Sequence, residues 1–577
     1  MRKQVLIVGG VGAGMKTATR LRRLSPDVDV VVLERGADVS YSACGFPYYA
    51  SDDVPDYKAL DHTPQGVLRD AAYFAAVKGI TVLTGHEVTA INTAGRSVTV
   101  KTNGSTKEMP YDRMVLTTGS TPVKLPLPGA ELKGIHNFWF PAEVKTVKQE
   151  ISDEGVKNAV IIGAGFIGME LAEGLARHGL HVSVVEMQDR LLPQLLDKEM
   201  ADSLLKGLQA SGIDFRLNEK TTGFTGDNNG RVKAVLTDKG EIPAELVIVA
   251  VGVRPNTELA KAAGLTIGPT GAISVDDELR TSDPYIFAGG DCAENTHIVS
   301  GDKIYAPMGS TANKHGRVIA GIIAEELAKE DGRQPSQATA EKYPGVLGTG
   351  ICQIMNWQAG ATGLNETAAA RAGMKFKTVV VPGNDRLGYM PGAKKIIVKL
   401  IAEEGTERLL GGQVIGTGGV DKRLDVIVSA LSQQLTLTDI HNMDFGYAPP
   451  FNGPIDNVST AANVLINKLR GQMHGVNPKD FQQIKKDPTY TLVDVRTPPE
   501  FAANRIAGCA SIVNIPLGIL REQACQLLKD KNACLITSCQ IDLRGYEAEV
   551  ILRELGYKNA QSLEGGMSAW PYETEHD

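Results

Sequence analysis

A glycine-rich turn followed at a fixed spacing by an acidic residue is the most informative chemical pattern in this sequence. The segment NAVIIGAGFIGMELAEGL places Gly163, Gly165 and Gly168 in GxGxxG register between a short apolar run and an amphipathic one. Such glycines let the backbone approach a pyrophosphate and leave a helix N-terminus facing that anion. Glu186 ends the next apolar run, where a carboxylate disfavours the 2′-phosphate of NADPH. The pattern predicts an NADH site.

A second pattern of this kind opens the chain. QVLIVGGVGAGMKTATRL carries Gly9, Gly12 and Gly14, and DVDVVVLE ends at Glu34, which can accept hydrogen bonds from a ribose diol. The match is imperfect, because Val11 occupies the middle position when the frame is set on Gly9 and Gly14. Two dinucleotide sites in one chain mean that electrons pass between two cofactors, unless one site has decayed.

A third motif decides between these alternatives. TSDPYIFAGGD, residues 281–291, is a strand-like run that delivers Asp291 directly after two glycines. Here the sequence resembles the two-dinucleotide flavoprotein disulfide reductases, in which this Asp binds the ribityl chain of FAD. The runs MVLTTGS and LVIVAVGVRPN match further strands of that family, and the resemblance covers roughly residues 1–460. It implies that Gly9, Gly12, Gly14 and Glu34 belong to the FAD site as well.

The resemblance also implies a redox role for Cys44, which lies in SYSACGFPYY. Many relatives have two cysteines at this place, whereas this chain has one. A single cysteine beside an electron donor can alternate between a thiolate and a mixed disulfide or sulfenic acid. The single-cysteine branch includes coenzyme A disulfide reductases, NADH oxidases and peroxidases, and NADH-dependent persulfide reductases. A buried, inert structural thiol is the plain alternative.

Further site residues follow from the same resemblance. Tyr447 and Tyr389 match segments that bring tyrosines of the partner subunit over the redox cysteine, where a hydroxyl could protonate a departing thiolate. Packing in a dimer core is the alternative for both. Arg20 and Arg23 are the candidates for binding the phosphates of coenzyme A, although cations on a helix often form only a solvated face.

The last hundred residues resemble a rhodanese domain. Its signature strand carries Asp494 and Arg496, and its active loop runs from Cys539 to Arg544 with the sequence CQIDLR. In a six-residue loop at a helix N-terminus, the N–H groups point at one centre and stabilise a thiolate or a persulfide, and Arg544 adds charge. Asp542 stands where rhodaneses with this loop usually have Gly, and its carboxylate would raise the pKa of a nearby thiol.

These motifs must be positioned by several α/β domains. The predicted fold is α/β, with two Rossmann-like dinucleotide-binding domains, an α+β dimerisation domain and a C-terminal rhodanese-like α/β domain. The predicted segments are the first part of the FAD-binding domain (1–150), the NADH-binding domain (151–250), the second part of the FAD-binding domain (251–330), the dimerisation domain (331–465) and the rhodanese-like domain (475–577).

Composition restricts the partners. The 577 residues carry a net charge of −7 without a long basic run, so neither nucleic acid nor an anionic membrane surface is an expected partner. No apolar run approaches the ~18 residues of a membrane helix. Seven cysteines without a CxxC pair favour a reducing, cytoplasmic location and no metal site.

Together these features predict an NADH- and FAD-dependent reductase of sulfur–sulfur bonds in small thiol carriers. Coenzyme A persulfide, coenzyme A disulfide and polysulfide are the expected substrates, Cys44 the redox thiol, Cys539 the carrier of sulfane sulfur, and a homodimer the expected assembly. Whether coenzyme A is a bound cofactor or only a substrate stays open. One alternative is an NADH oxidase or peroxidase cycling through cysteine sulfenic acid. Another is a redox-sensing sulfur-carrier protein, which Asp542 supports.

Overall fold

The computed structural model describes residues 2–152, 155–333 and 341–577. The chain separates into two compact units. One unit comprises Met1–Val185 and Glu219–Val346, and the other comprises Glu186–Asn218 and Leu347–Asp577. No helix in the described part of the chain is long and apolar enough to cross a membrane.

The N-terminal part of the first unit begins with a strand, a glycine turn and a helix. The run QVLIV is buried on both faces, as expected for a central strand of a parallel sheet. Its elements up to residue 152 are β1 (Gln4–Val8), α1 (Gly12–Leu24), β2 (Asp29–Glu34), α2 (Phe46–Ala50), α3 (Lys58–Asp61), α4 (Ala71–Tyr73), β3 (Thr81–Thr84), β4 (Glu87–Asn92), β5 (Ser97–Thr102), β6 (Ser105–Pro110), β7 (Arg113–Leu116), β8 (Ser120–Pro122), β9 (Ile135–His136) and α5 (Pro141–Ile151).

The middle of the chain repeats the same strand, turn and helix order. Its elements are β10 (Asn158–Ile162), α6 (Phe166–Arg177), β11 (His181–Glu186), α7 (Lys198–Leu208), β12 (Asp214–Leu217), β13 (Thr221–Gly226), β14 (Val232–Thr237), β15 (Gly240–Pro243), β16 (Leu246–Val249), β17 (Val253–Pro255), α8 (Glu258–Ala262), β18 (Ile286–Ala288), β19 (Asn295–Thr296), β20 (Lys303–Ile304) and α9 (Gly309–Glu330).

Two parallel sheets organise the first unit. One has the strand order β18-β7-β1-β2-β3, so a strand from far along the chain completes the N-terminal domain. In the other, β11, β10, β16 and β9 are neighbours in that order. In each sheet a glycine turn leaves the carboxyl end of a central strand and enters a helix. These are the two predicted Rossmann-like domains.

The second unit contains an antiparallel sheet covered by helices. Its order is β21-β22-β25-β24-β23, and every neighbouring pair of strands is antiparallel. The elements are β21 (Gly350–Ile354), β22 (Trp357–Gly363), α10 (Glu366–Arg371), β23 (Phe376–Asn384), β24 (Lys395–Glu403), β25 (Leu409–Gly416), α11 (Val420–Ser432), α12 (Leu437–His441) and α13 (Asn457–Leu469).

The C-terminal part of the second unit is a parallel sheet with the order β26-β31-β30-β27-β29. It has its own apolar core around Leu535, Leu552 and Tyr557. The elements are β26 (Gly475–Val476), α14 (Pro478–Ile484), β27 (Tyr490–Asp494), α15 (Pro498–Ala503), β28 (Arg505–Ile506), β29 (Ile512–Asn514), α16 (Leu520–Leu527), β30 (Cys534–Ser538), α17 (Leu543–Glu554), β31 (Asn559–Leu563) and β32 (Thr574–Glu575). The predicted fold class is confirmed, and the five segment boundaries stay predictions.

Candidate functional site

The first glycine turn joins β1 to α1. Gly9 has a φ of +107°, and its N–H donates to Leu33 O at 2.8 Å. A Cβ on Gly14 would lie 1.9 Å from Gly9 O, so helix and turn can approach this closely only because both residues are glycine. Gly12 is the first residue of α1. The turn therefore presents a helix N-terminus, which suits a phosphate group.

Glu34 at the end of β2 is held by the backbone around it. Its Oε2 accepts a hydrogen bond from the N–H of Gly10 at 2.8 Å, and its Oε1 accepts one from the N–H of Gly36 at 2.7 Å. Each carboxylate oxygen has a second lone pair available for a ribose hydroxyl. Glu34, which is predicted to bind a ribose, therefore also stabilises the turn.

Asp291 follows a turn at Gly290, where β8, α1 and α9 of the first unit come together. The Ser120 hydroxyl donates to its Oδ2 at 2.9 Å, and burial raises the pKa of its carboxyl. Just before it, a Cβ on Gly290 would lie 3.1 Å from the Ala13 Cβ and 3.8 Å from the Ala312 Cβ. The starts of α1 and α9 therefore meet at the Gly290 turn. This arrangement fits FAD, since two helix N-termini suit its pyrophosphate and a buried carboxyl suits its ribityl hydroxyls.

The second glycine turn repeats this geometry between β10 and α6. Gly163 has a φ of +104°, and a Cβ on Gly168 would lie 2.1 Å from Gly163 O. At Gly165, the residue before α6, a Cβ would meet no other atom of the described chain within 4 Å. The open space at a helix N-terminus suits a pyrophosphate. Glu186 is the buried last residue of β11, and its Oε1 accepts the N–H of Gln188 at 2.9 Å.

Cys44 lies in the short turn Ala43–Gly45, in the first unit. The residue is exposed, yet enough protein surrounds its sulfur for burial to be the main cause that raises the pKa of the thiol. A Cβ on Gly309 would lie 3.5 Å from the Cys44 Sγ, so the thiol is next to the first residue of α9. The positive end of that helix dipole favours a thiolate, in opposition to burial.

Two residues near Cys44 were missed by the sequence reasoning. Glu170 of α6 adds negative charge that raises the pKa of the Cys44 thiol, and Tyr48 Oη donates to Glu170 Oε1 at 3.2 Å. Burial raises the pKa of Glu170 to about 7, and the charge of Glu173 adds to this effect. The only signal in the sequence was that Glu170 comes two residues after Gly168.

The cationic pair predicted on α1 has a third member. Burial lowers the pKa of the Arg20 guanidinium, and the neighbouring charges of Arg317 and Arg23 lower it further. Glu341, which pairs with Arg317 at 3.2 Å, opposes this effect. Arg20 Nε is buried and has no hydrogen-bond partner in the described part of the chain. Neighbouring guanidinium groups with a spare donor suit an anion such as a phosphate. Arg317, which lies on α9, was not predicted.

Tyr389 and Tyr447 lie in the second unit and are 73% and 53% exposed. The loops that carry them share one anchor, the buried Arg423. Its Nη2 donates to Asp385 O at 2.9 Å, at the start of the Tyr389 loop, and to Asn452 Oδ1 at 3.0 Å, in the Tyr447 loop. Arg423 was not predicted, because it belongs to no motif.

Cys539 lies at the end of β30 and is fully buried, which raises the pKa of its thiol. The N–H of Gly545 donates to its Sγ at 3.3 Å. This bond and the charge of Arg544 lower that pKa, whereas the charge of Asp542 raises it. Asp542, the residue before α17, has a left-handed φ of +78°. The CQIDLR loop therefore closes around the sulfur despite the missing glycine.

Two ion pairs support this loop. Arg496 is buried against Asp494 at 2.7 Å and also donates to Glu500 O at 3.2 Å, which fixes α15 to β27. Glu500 in turn accepts two hydrogen bonds from Arg544, at 2.8 and 3.1 Å. Glu500 was not predicted, although its capping position in α15 was readable from the sequence TPPE.

Two dinucleotide turns, a cysteine beside the start of α9 and a separate cysteine loop define a flavin- and nicotinamide-dependent thiol oxidoreductase joined to a sulfurtransferase-like domain. Residues 3–313 match the pyridine nucleotide-disulphide oxidoreductase family, residues 350–458 its dimerisation domain, and residues 477–572 the rhodanese-like domain. The chain belongs to the pyridine nucleotide-disulphide oxidoreductase family, and it uses FAD and a pyridine nucleotide.

Relatives extend this match over the whole chain. The NAD(P)H coenzyme A polysulfide/persulfide reductase of Pyrococcus horikoshii is 35% identical over 81% of this chain and 99% of its own. The structure of a NAD-dependent persulfide reductase from A. fulgidus matches with a TM-score of 0.90 and 38% identity, covering 98% of this chain and 100% of that one. Reduced Bacillus anthracis CoADR-RHD matches with a TM-score of 0.89 and 30% identity, covering 99% and 98%.

Proposed function

We propose that this chain reduces sulfur–sulfur bonds in small thiol carriers, with coenzyme A persulfide, coenzyme A disulfide and polysulfide as substrates and NADH as the electron source. The names of the Pyrococcus and A. fulgidus relatives support this substrate class. The observation that carries the proposal is the position of Cys44, beside the start of α9 and in the same unit as both glycine turns.

The proposed reaction at Cys44 has two stages. The thiolate attacks the sulfur–sulfur bond of the substrate, so that one sulfur leaves as a thiol or sulfide and the other stays bound to Cys44. FAD held at the first glycine turn and NADH held at the second would supply the two electrons that restore the Cys44 thiolate, and the second product would leave with one proton. Tyr48 and Glu170, whose charge acts on Cys44, form a hydrogen-bonded pair that can hold a proton.

The remaining residues have supporting roles in this proposal. Arg20 and Arg23 bind the phosphates of coenzyme A, and Glu186 disfavours NADPH. Tyr389 and Tyr447 approach the redox cysteine of a partner subunit in a homodimer, which the dimerisation domain supports. Cys539 accepts sulfane sulfur and holds it as a persulfide that Arg544 stabilises. We place the enzyme in the cytoplasm because its thiols need a reducing environment.

The test is anaerobic NADH oxidation by the FAD-loaded protein with coenzyme A persulfide, coenzyme A disulfide and polysulfide offered separately. We expect all three to be reduced, and Cys44→Ser to lower kcat/KM at least about 1,000-fold while FAD stays bound. Cys525→Ser is the matched control, because Cys525 is an exposed thiol without a proposed role.

Retained turnover in Cys44→Ser would exclude Cys44 as the redox thiol. Oxidation of NADH by air alone, with no sulfur acceptor reduced, would favour an NADH oxidase instead.

A further inference from the structure

The turn after β31 connects the Cys539 loop to an element outside the rhodanese-like domain. On one side of this turn, the N–H of Met567 donates to Cys539 O at 2.9 Å. On the other side, a Cβ on Gly565 would lie 3.1 Å from the Cδ of Pro382, which belongs to β23. The turn therefore lies between the reactive loop and the antiparallel sheet of the same unit.

The acid that begins this turn is paired with a lysine from outside the domain. Glu564 is fully buried, and its Oε1 accepts a hydrogen bond from Lys468 Nζ. Lys468 lies on α13, before the residues 477–572 that match the rhodanese-like domain, and its Nζ also donates to Thr378 O at 3.0 Å. Burial raises the pKa of Asp480, and the charge of Lys468 is among those that oppose this effect. A buried carboxylate needs such a cation to offset its lost hydration.

Glu564 faces a second buried carboxyl, that of Asp542 in the reactive loop. Asp542 Oδ1 has no hydrogen-bond partner in the part of the chain that the structure describes. Burial raises the pKa of the Asp542 carboxyl well above its usual range, and the charges of Glu564 and Glu549 add to this effect, whereas the N–H of Gly565 opposes it. The charge on Glu564 therefore favours a proton on Asp542.

Asp542 in turn acts on the reactive thiol. The N–H of Gly545 donates to Cys539 Sγ at 3.3 Å, and a Cβ on Gly545 would lie 3.0 Å from Asp542 Oδ1, so both groups lie against one glycine. Burial raises the pKa of the Cys539 thiol and the charge of Asp542 adds to this, while two backbone N–H groups and Arg544 oppose it. The protonation of Asp542 thus affects how readily the thiolate forms.

The other charged groups around these carboxyls have partners of their own. Glu549 contacts His474 Nδ1 at 2.7 Å and accepts a hydrogen bond from Arg553 Nε at 3.2 Å. Arg544 donates to Glu500 at 2.8 and 3.1 Å and also hydrogen-bonds the reactive thiol. The charge balance of Glu564 therefore depends on the lysine of α13.

We propose that Lys468 is a positioning residue for Cys539, because it holds negative charge on Glu564 and thereby favours a proton on Asp542. This rests on the proposed function only in that Cys539 is the reactive thiol of its domain. Two neighbouring buried carboxyls do not both ionise readily, and the one paired with a cation carries the charge. Without Lys468, the proton shifts from Asp542 to Glu564, and the negative charge comes closer to the sulfur.

The test measures alkylation of Cys539 by iodoacetamide as a function of pH on the full-length, FAD-loaded protein, with peptide mass spectrometry as the readout. Lys468→Met removes the charge and keeps an unbranched side chain, and Lys468→Arg keeps the charge. Arg470→Met is the matched control, because Arg470 is a nearby cation whose partner is Glu407, at 2.7 and 2.9 Å.

We expect Lys468→Met to slow alkylation of Cys539 at pH 8 about 3-fold and to move its pH profile towards higher pH. Lys468→Arg and Arg470→Met should stay within about 1.5-fold of the parent. Glu564→Gln should also slow the reaction, because Asp542 then ionises more readily. In an Asp542→Asn background, Lys468→Met should have almost no effect, since asparagine cannot ionise. This dependence on the background separates a charge effect from a change in loop shape.

An unchanged rate in Lys468→Met, equal slowing in Arg470→Met, or the same slowing in the Asp542→Asn background would overturn the positioning role. Slowing in Lys468→Arg as large as in Lys468→Met would overturn it as well, because the charge is retained there. Loading of Cys539 from an alkyl persulfide is measured on the same preparations. Its failure would contradict the sulfur-accepting role, whereas the alkylation rates alone decide the role of Lys468.

Discussion

The two cysteine sites of this protein differ in the groups that set the pKa of the thiol. Cys44 is exposed, and the groups that change its pKa besides burial are the carboxyls of Glu170 and Asp291. Cys539 is buried, and the charge of Asp542 raises its pKa as well, but two backbone N–H groups and the Arg544 guanidinium oppose these effects. Each thiol lies near a helix N-terminus, so the difference is in the side chains that surround it.

This difference matches the proposed roles. A thiol that is reduced in each cycle must be reachable by substrate and by the electron donor, and acidic neighbours help to keep or return a proton. A thiol that stores a persulfide anion needs fixed donors and exclusion of water, which the closed CQIDLR loop supplies. In the proposed function, reduction at Cys44 and sulfur storage at Cys539 belong to different units of the chain.

The largest expected effect is that substitution of each cysteine abolishes one activity and leaves the other intact. Cys539→Ser should abolish sulfur transfer, by at least about 1,000-fold, and leave NADH-dependent reduction of coenzyme A disulfide within about 2-fold of the parent. Cys44→Ser should abolish NADH-dependent reduction and leave sulfur transfer intact. Rates of thiocyanate formation and of NADH oxidation on the same preparations check this. If either variant lost both activities, the two sites would not be independent.

A smaller effect is expected at Glu186. Glu186→Ala removes the carboxylate that disfavours a 2′-phosphate, so kcat/KM with NADPH relative to NADH should rise about 10-fold. Sulfur transfer by Cys539 should be unchanged, because it uses no nucleotide. Steady-state kinetics with both nucleotides give the ratio. An unchanged ratio would place the specificity elsewhere, and a change in sulfur transfer would contradict the separation of the two sites.

The smallest expected effect concerns the carboxyl group that lies near each thiol. Above pH 7 the Glu170 carboxyl, with a pKa of about 7, is ionised and raises the pKa of Cys44. Glu170→Gln should therefore lower the pKa of Cys44 and increase its alkylation by iodoacetamide at pH 8 about 3-fold. Burial raises the pKa of the Asp542 carboxyl, and the charge of Asp542 raises the pKa of Cys539, so Asp542→Asn should also increase alkylation of Cys539.

Peptide mass spectrometry of the FAD-loaded protein measures both thiols in one sample. A slower reaction of Cys44 in Glu170→Gln would show that the carboxyl assists the thiolate instead. Unchanged alkylation of Cys539 in Asp542→Asn would show that Asp542 does not act on this thiol.

The sequence by itself determined the features that are local in the chain. Each of these motifs spans no more than about 30 residues, because the strand, turn and helix of one βαβ unit are contiguous. They are the two glycine turns, each with the acid at the end of the following strand, and the cysteine loop. The family, the fold class and the cofactors followed from those patterns. The departure from the rhodanese pattern at Asp542 could also be predicted from the sequence, because it concerns a single position of a short loop.

Tertiary structure alone decided which distant groups surround each thiol. Glu170 and the start of α9 come to Cys44 from 126 and 265 residues further along the chain, and Glu500 reaches Arg544 across 44. No periodicity or spacing reports such pairs, because they form only when parallel sheets bring the carboxyl ends of separate strands to one edge. Charge and burial at the two thiols, and hence their different chemistry, are consequences of that packing.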